Sequence, residues 1–177
     1  MISRADHEKD PAYGLKLRLG NGRRLKLGER LGRGGEGSVY AAANRRNHAV
    51  KLYKAPDKPR LANKIAAMVD AGLARQSPFA AFPLDVVRTQ DGAFAGFLMK
   101  AVRDRRPLHD LYAPGARKQH FPDIDYRFLA RTATNIARAV ASIHHTGCVI
   151  GDINPSGMLV ADDATVALVD ADSFQFS

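Results

Sequence analysis

Leu15, Leu17 and Leu19 alternate with Lys16 and Arg18, the period-two pattern of a half-buried strand. Gly20-Asn21-Gly22 turns the chain, and Leu25 and Leu27 resume the alternation on a returning strand. That strand runs through Leu31 into a glycine-rich turn. Residues 38–43 and 48–53 then read as two more strands joined by a tight turn. Next the period changes. Leu61, Ile65, Met68 and Val69 recur at helical spacing over 60–71, behind Pro56 and Pro59 and ahead of Gly72. Strand patterning returns at 83–87 and 94–99, around the hairpin signal Gln90-Asp91-Gly92. A linker-like stretch follows, with a short helix at 108–112. Phe128, Leu129, Ile136, Ala137, Val140 and Ile143 then mark the apolar face of a long helix, which Asp123 is placed to cap and Gly147 to end. Two short strands, 158–160 and 166–169, flank Asp162-Asp163-Ala164.

This order predicts an α+β fold: a five-stranded antiparallel N-terminal lobe with one helix, then a mostly helical second part. The expected boundaries are a polar arm at 1–13, the first lobe at 14–98, a linker at 99–106 and the second lobe at 107–177. No internal repeat or low-complexity tract interrupts it.

Composition narrows the class. Of 177 residues, 45% are hydrophobic, enough for a packed core without any Trp. The formal charge of +9 suits an anionic partner, whether nucleotide, nucleic acid or acidic protein, and serves solubility equally well. The basic stretch Lys54, Lys58, Arg60 and Lys64 lacks aromatic interleaving and reads as a solvated face rather than a nucleic-acid surface. A single cysteine, Cys148, excludes an internal disulfide and fits a reducing compartment. His144, His145 and Cys148 find no fourth ligand at metal spacing. The N-terminus has no apolar signal core, and no apolar run approaches the roughly 18 residues of a membrane span, so a cytoplasmic protein is expected.

The chemistry concentrates in three stretches. Gly32, Gly34 and Gly37 stand in G-x-G-x-x-G register, followed by Val39 and, on the next strand, Lys51. In a dinucleotide fingerprint such glycines open a helix. Here Val39, Tyr40, a turn and a second strand follow instead, so the glycines belong to a hairpin. Further on come Gly151-Asp152-Ile153-Asn154-Pro155 and Val169-Asp170. Phosphoryl transfer needs a phosphate cradle, a fixed positive charge, a carboxylate that positions the acceptor and a metal-holding carboxylate, and the chain supplies them in that order.

With these motifs the chain resembles the protein kinase superfamily, from about Leu15 onward, and that resemblance implies a two-lobed kinase-like fold using ATP and magnesium. It places Gly32, Gly34 and Gly37 over the ATP phosphates and Lys51 on the α- and β-phosphates. Leu31, Val39 and Ala49 would lie above the adenine and Leu159 below it, with hinge backbone at Met99, Lys100 and Ala101 beside it. Asp152 takes the place of the catalytic-loop aspartate, and Asp170 that of the magnesium-binding aspartate, with Asp172 as a second carboxylate. The runs VIGDINPSGMLV and VDADSFQF are similar to a bacterial serine/threonine kinase-like group with a D-x-D-S-F-Q ending. That group is associated with metal-dependent phosphatases and von Willebrand A-type proteins in stress and metal-resistance systems.

Departures from the family pattern qualify these expectations. No glutamate occurs between Leu52 and Lys100, where the family carries one for its lysine; Asp57 and Asp70 lie near the ends of the expected helix. Ile150-Gly151 stands in place of His-Arg, Asn154 in place of the catalytic-loop lysine, and Gly157 in place of a metal-holding asparagine. The sequence stops seven positions after Asp170, as in a truncated or atypically short form. The expected function is an ATP-dependent serine/threonine protein kinase-like domain, weak or inactive in this form. The alternatives are a nucleotide-binding pseudokinase scaffold and a small-molecule phosphotransferase of the aminoglycoside or choline kinase type, whose catalytic loop Gly151-Asp152 also resembles.

Overall fold

The computed structural model describes residues 10–55 and 59–176. Pro56, Asp57 and Lys58 fall outside the described residues, as does most of the expected polar arm. The chain divides into two compact units, Met1–Gly72 with Pro83–Ala101, and Leu73–Phe82 with Val102–Ser177.

The first unit is built on an antiparallel sheet of strands β1 (Leu17–Leu19), β2 (Arg24–Leu25), β3 (Leu27–Arg33), β4 (Gly37–Ala42), β5 (His48–Tyr53), β6 (Asp85–Thr89) and β7 (Phe94–Lys100), in the order β2-β1-β6-β7-β5-β4-β3. Seven strands form where five were expected. One reason is local: the returning strand breaks at Lys26, whose N–H donates 3.0 Å to Asn44 Oδ1 instead of to a ladder carbonyl. The alternating leucines deliver what their spacing predicts. Leu17, Leu19 and Leu25 join Tyr40, Val50, Leu52, Val87 and Leu98 in one buried cluster. Asp10 caps a short 3-10 turn, Pro11–Gly14, and ties it to the sheet through Arg30 and Tyr40. Helix α1 (Pro59–Asp70) starts on a proline, where the missing N–H costs nothing, and buries Ile65 and Met68. Gly72, at φ +67°, follows its end.

The second unit contains α2 (Leu73–Gln76), β8 (Arg106–Pro107), α3 (Leu108–Tyr112), α4 (Pro114–His120), α5 (Tyr126–His145), β9 (Met158–Val160) and β10 (Val166–Leu168). The last two strands form a hairpin, and β8 adds to β9 in the order β10-β9-β8. Elements α2, α4 and β8 are too short to leave a periodic signal. The long helix differs from expectation in two respects. Its cap is Asp125, not Asp123: Asp125 Oδ1 accepts from Phe128 N–H at 2.9 Å, and Asp123 sits in the turn before it. Its buried stripe also runs through Thr132, Ala139 and Ile143, while Ala137 is exposed and Phe128, Leu129, Ile136 and Val140 are half-buried. Polar anchors help fix that rotation. Asn135 Nδ2 donates 2.9 Å to Ala164 O, and Ser142 Oγ donates 3.0 Å to Ser77 Oγ. Among the described residues no helix is long and apolar enough to cross a membrane.

Candidate active site

In the first unit, strand pairing sets which side chains share a face. Gly32 pairs with Val39, Val39 with Lys51, and Ala49 with both Ala41 and Met99. Directly paired residues point the same way, so Gly32, Val39, Ala49, Lys51 and Met99 lie on one face of the sheet. Lys51 is 8% exposed, and its ammonium stands 5.7 Å from the centre of the Tyr53 ring, a cation–π contact on that face. Leu31, on β3, is exposed. The glycine turn is closed by Gly34 N–H donating 2.8 Å to Gly37 O. Gly37 is required by space: a Cβ there would collide with the Leu52 carbonyl, whereas Gly32 and Gly35 face open space. The backbone N–H of Ala101 donates 3.0 Å to Asn47 O, which leaves the carbonyl as its group for a ligand.

In the second unit, two segments carry the carboxylates. The first leaves α5 at Gly147 and runs from Cys148 to Gly157; the second runs from Val169 to Gln175. They are pinned together at both ends. Val149 and Gln175 exchange N–H to carbonyl bonds of 2.9 and 2.8 Å, and Val169 N–H donates 2.9 Å to Gly157 O. Asp152 is therefore held beside the segment that carries Asp170. Asn154 braces it: Nδ2 donates 3.1 Å to Asp152 Oδ2, while Oδ1 accepts from Ser156 and Gly157 N–H at 3.0 and 2.9 Å. A Cβ at Gly157 would meet Asn154 at 3.5 Å.

Asp170 adopts a left-handed conformation, φ 58° and ψ 37°, ahead of the 3-10 turn Ala171–Ser173. Aspartate tolerates this region better than most residues, and non-glycine residues held there concentrate at functional sites. The Asp170 carbonyl accepts from Ser173 N–H at 2.9 Å and Ser173 Oγ at 2.8 Å, which fixes the strained residue. Asp170 and Asp152 are exposed, whereas Asp172 is buried at 5%. Leu159 on β9 is half-buried between the buried Met158 and Val160, facing away from their core. Among the described residues no three His, Cys, Asp or Glu side chains gather as a metal site. A phosphate-bound magnesium needs no such cage, since it takes one or two carboxylates and otherwise phosphate oxygens and water. The exposed carboxylate of Asp170 fits that donor set; the buried one of Asp172 fits it less well.

Two features here are not named by the motifs: Gly96 approaches the Lys51 backbone, and Lys54 reaches the glycine turn. Gln175, the last residue of the D-x-D-S-F-Q run, pins the two acidic segments. Of the first two, only Gly96 leaves a signal in the sequence, as a glycine within an otherwise apolar strand.

Fold and sequence likeness together define a protein kinase-like domain. The chain is 34% identical over 164 residues to the protein kinase YegI of Escherichia coli (strain K12), a match that covers 92% of the chain and 25% of that protein. It is likewise 34% identical over 151 residues to protein kinase YegI of Escherichia coli O157:H7, covering 85% of the chain and 23% of the relative. The chain thus spans about a quarter of the length of the curated relatives it matches. No protein-family model matches it. Among solved structures, the ROP18 kinase domain in complex with AMP-PNP and sucrose superposes with a TM-score of 0.65 at 18% identity, over 92% of this chain and 56% of that one. A rhoptry kinase from Toxoplasma gondii gives 0.64 at 18% identity, over 92% and 50%. At such identities the likeness is one of fold.

Proposed function

We propose that the chain binds ATP with magnesium and transfers the terminal phosphoryl group to a serine or threonine hydroxyl of a protein. The observation that carries this reading is the double pinning of the Asp152 segment to the Asp170 segment, with Asp170 held in a left-handed conformation. Two acidic groups with separate tasks need a fixed relation, and those backbone bonds supply one. Asp152, oriented by Asn154, accepts or positions the proton of the attacking hydroxyl. Asp170 offers an exposed carboxylate to magnesium, which when bound neutralises charge on the phosphates. Gly32, Gly34 and Gly37 line the phosphate end. Lys51 supplies positive charge, and Leu31, Val39, Ala49, Met99 and Leu159 offer apolar surface to the base, with backbone at Ala101. A fold neighbour bound to AMP-PNP supports the nucleotide.

Gly157, which offers no side-chain ligand for a second metal, favours a second reading: a nucleotide-binding scaffold with little transfer. On the D-x-D-S-F-Q run at 170–175 we further place the chain with the bacterial kinase-like group that works beside metal-dependent phosphatases and von Willebrand A-type proteins.

Thermal melting with ATP, with and without magnesium, tests binding; ATP at a hundredfold its dissociation constant stabilises by about 2.7 kcal/mol. No shift at millimolar ATP overturns both readings. Radiolabelled phosphate transfer then separates them. Asp152→Asn should lower the rate by roughly 10²–10⁴ while keeping the nucleotide-induced shift, and a wild-type protein that binds without transfer supports the scaffold.

A further inference from the structure

We propose that Lys54 is a positioning residue that turns the peptide planes of the glycine turn so that its tip amides face the side of the sheet carrying Lys51. The inference rests on the nucleotide-binding reading above and assigns a role in it to a residue outside the G-x-G-x-x-G and Lys51 motifs. Lys54 Nζ donates to Gly34 O at 2.8 Å and to Gly35 O at 3.0 Å. Every peptide bond described is trans, so each carbonyl and the N–H across its C–N bond point in opposite directions. Drawing the Gly34 and Gly35 carbonyls toward Lys54 therefore directs the N–H groups of Gly35 and Glu36 away from it. Among the described residues, neither of those amides donates to another group of the protein.

The direction follows from strand register. Gly37 pairs with Tyr53, Ser38 with Leu52 and Val39 with Lys51, and the Lys54 N–H extends this ladder to Glu36 O at 2.9 Å. Alternation puts Lys54 on the face of Leu52 and Ser38, opposite Lys51. These three line a cleft of about 550 Å³ on that face, beside Arg33 and Tyr40. The ammonium thus holds the turn from behind, and the Gly35 and Glu36 amides project toward the Lys51 side, where they can donate to phosphate oxygens. Closing the turn does not require Lys54's side chain. The bonds from Gly34 N–H to Gly37 O and from Lys54 N–H to Glu36 O are backbone bonds that any residue but proline at 54 retains. The side chain sets orientation, and its cationic donor makes stronger bonds to carbonyls than a neutral one would.

Isothermal titration of the full chain with ATP and with adenosine, in the parent, Lys54→Met and Lys54→Arg, tests this. Lys54 is exposed, so both variants keep the fold, and equal melting temperatures without ligand check it. Lys54→Met should weaken ATP about tenfold and leave adenosine unchanged, with Lys54→Arg restoring most of the loss. Equal losses for ATP and adenosine, or unchanged ATP affinity in Lys54→Met, overturn the role of Lys54 and leave the nucleotide reading standing. A parent protein that binds neither ligand overturns the nucleotide reading, and this role with it.

Discussion

An alanine at Gly96 would drive its Cβ into the carbonyl oxygen of Lys51 and to within 2.9 Å of its carbonyl carbon. Gly37 stands in the same relation to Leu52 from the other side of β5. Two glycines therefore let β4 and β7 close on the strand that carries Lys51, where neither neighbouring backbone can move aside. Gly96→Ala should destabilise the protein by about 1–3 kcal/mol, as overpacking does. Gly32→Ala, with nothing within 4 Å of the added Cβ, should stay within about 0.5 kcal/mol of the parent. Urea unfolding of both variants checks the pair, and equal midpoints would contradict it.

Helix α5 offers a test of its own start. Asp125 accepts the Phe128 N–H, and Asp123 makes no such bond. Asp125→Ala should cost about 1 kcal/mol and Asp123→Ala only a few tenths. Thermal unfolding of the two variants reads the difference, and an equal loss would place the cap elsewhere.

Much of this architecture is legible in period alone, and the exceptions have physical reasons. The alternation of Leu15, Leu17 and Leu19 marks a strand because two of the three enter one core. The rotation of α5 is not legible. Its buried stripe contains Thr132, and the half-buried Asn135 and Ser142 are held by partners distant in sequence, which periodicity of apolar residues cannot register. The order of Gly37, Lys51, Asp152 and Asp170 is readable because each residue type carries its chemistry with it. How Asp152 is held is not, since Asn154 and Gln175 act through a backbone amide pair and a two-bond bridge.

The Asp10 network predicts two pH limits. Burial alone would raise the Asp10 pKa, but hydrogen bonds from Tyr40, Ala12 N–H and Arg30, with the Arg30 charge, outweigh it and hold the group below its ordinary 3.8. Burial, together with the Asp10 hydrogen bond, pushes Tyr40 up from 10.0 to about 12. A depressed acid contributes stability above its unfolded value, and this is lost as pH falls through the folded one. A raised tyrosine contributes below 10.0, and its share is lost as pH rises toward about 12. Asp10→Asn should therefore flatten the acid limb below about pH 4 and weaken the alkaline one. Urea midpoints measured across pH check this, and parallel curves for parent and variant would contradict it.

Asn154 separates bracing the loop from bracing the carboxylate. Its Oδ1 holds the Ser156 and Gly157 amides, and its Nδ2 holds Asp152. Asn154→Asp keeps an acceptor for the two amides but puts an oxygen where the donor faced Asp152. Asn154→Ala removes both functions. The aspartate variant should melt close to the parent yet transfer phosphate more slowly, by up to about 10²-fold, because a misplaced reacting group loses orientation. The alanine variant should lose a similar rate and also about 1 kcal/mol of stability for the undone turn. Nucleotide-induced melting shifts should survive in both, since neither change touches the glycine turn or Lys51. Transfer rates measured beside melting curves decide the matter: full activity in Asn154→Asp would show that Asp152 needs no brace, and a lost nucleotide shift would show that Asn154 acts on binding.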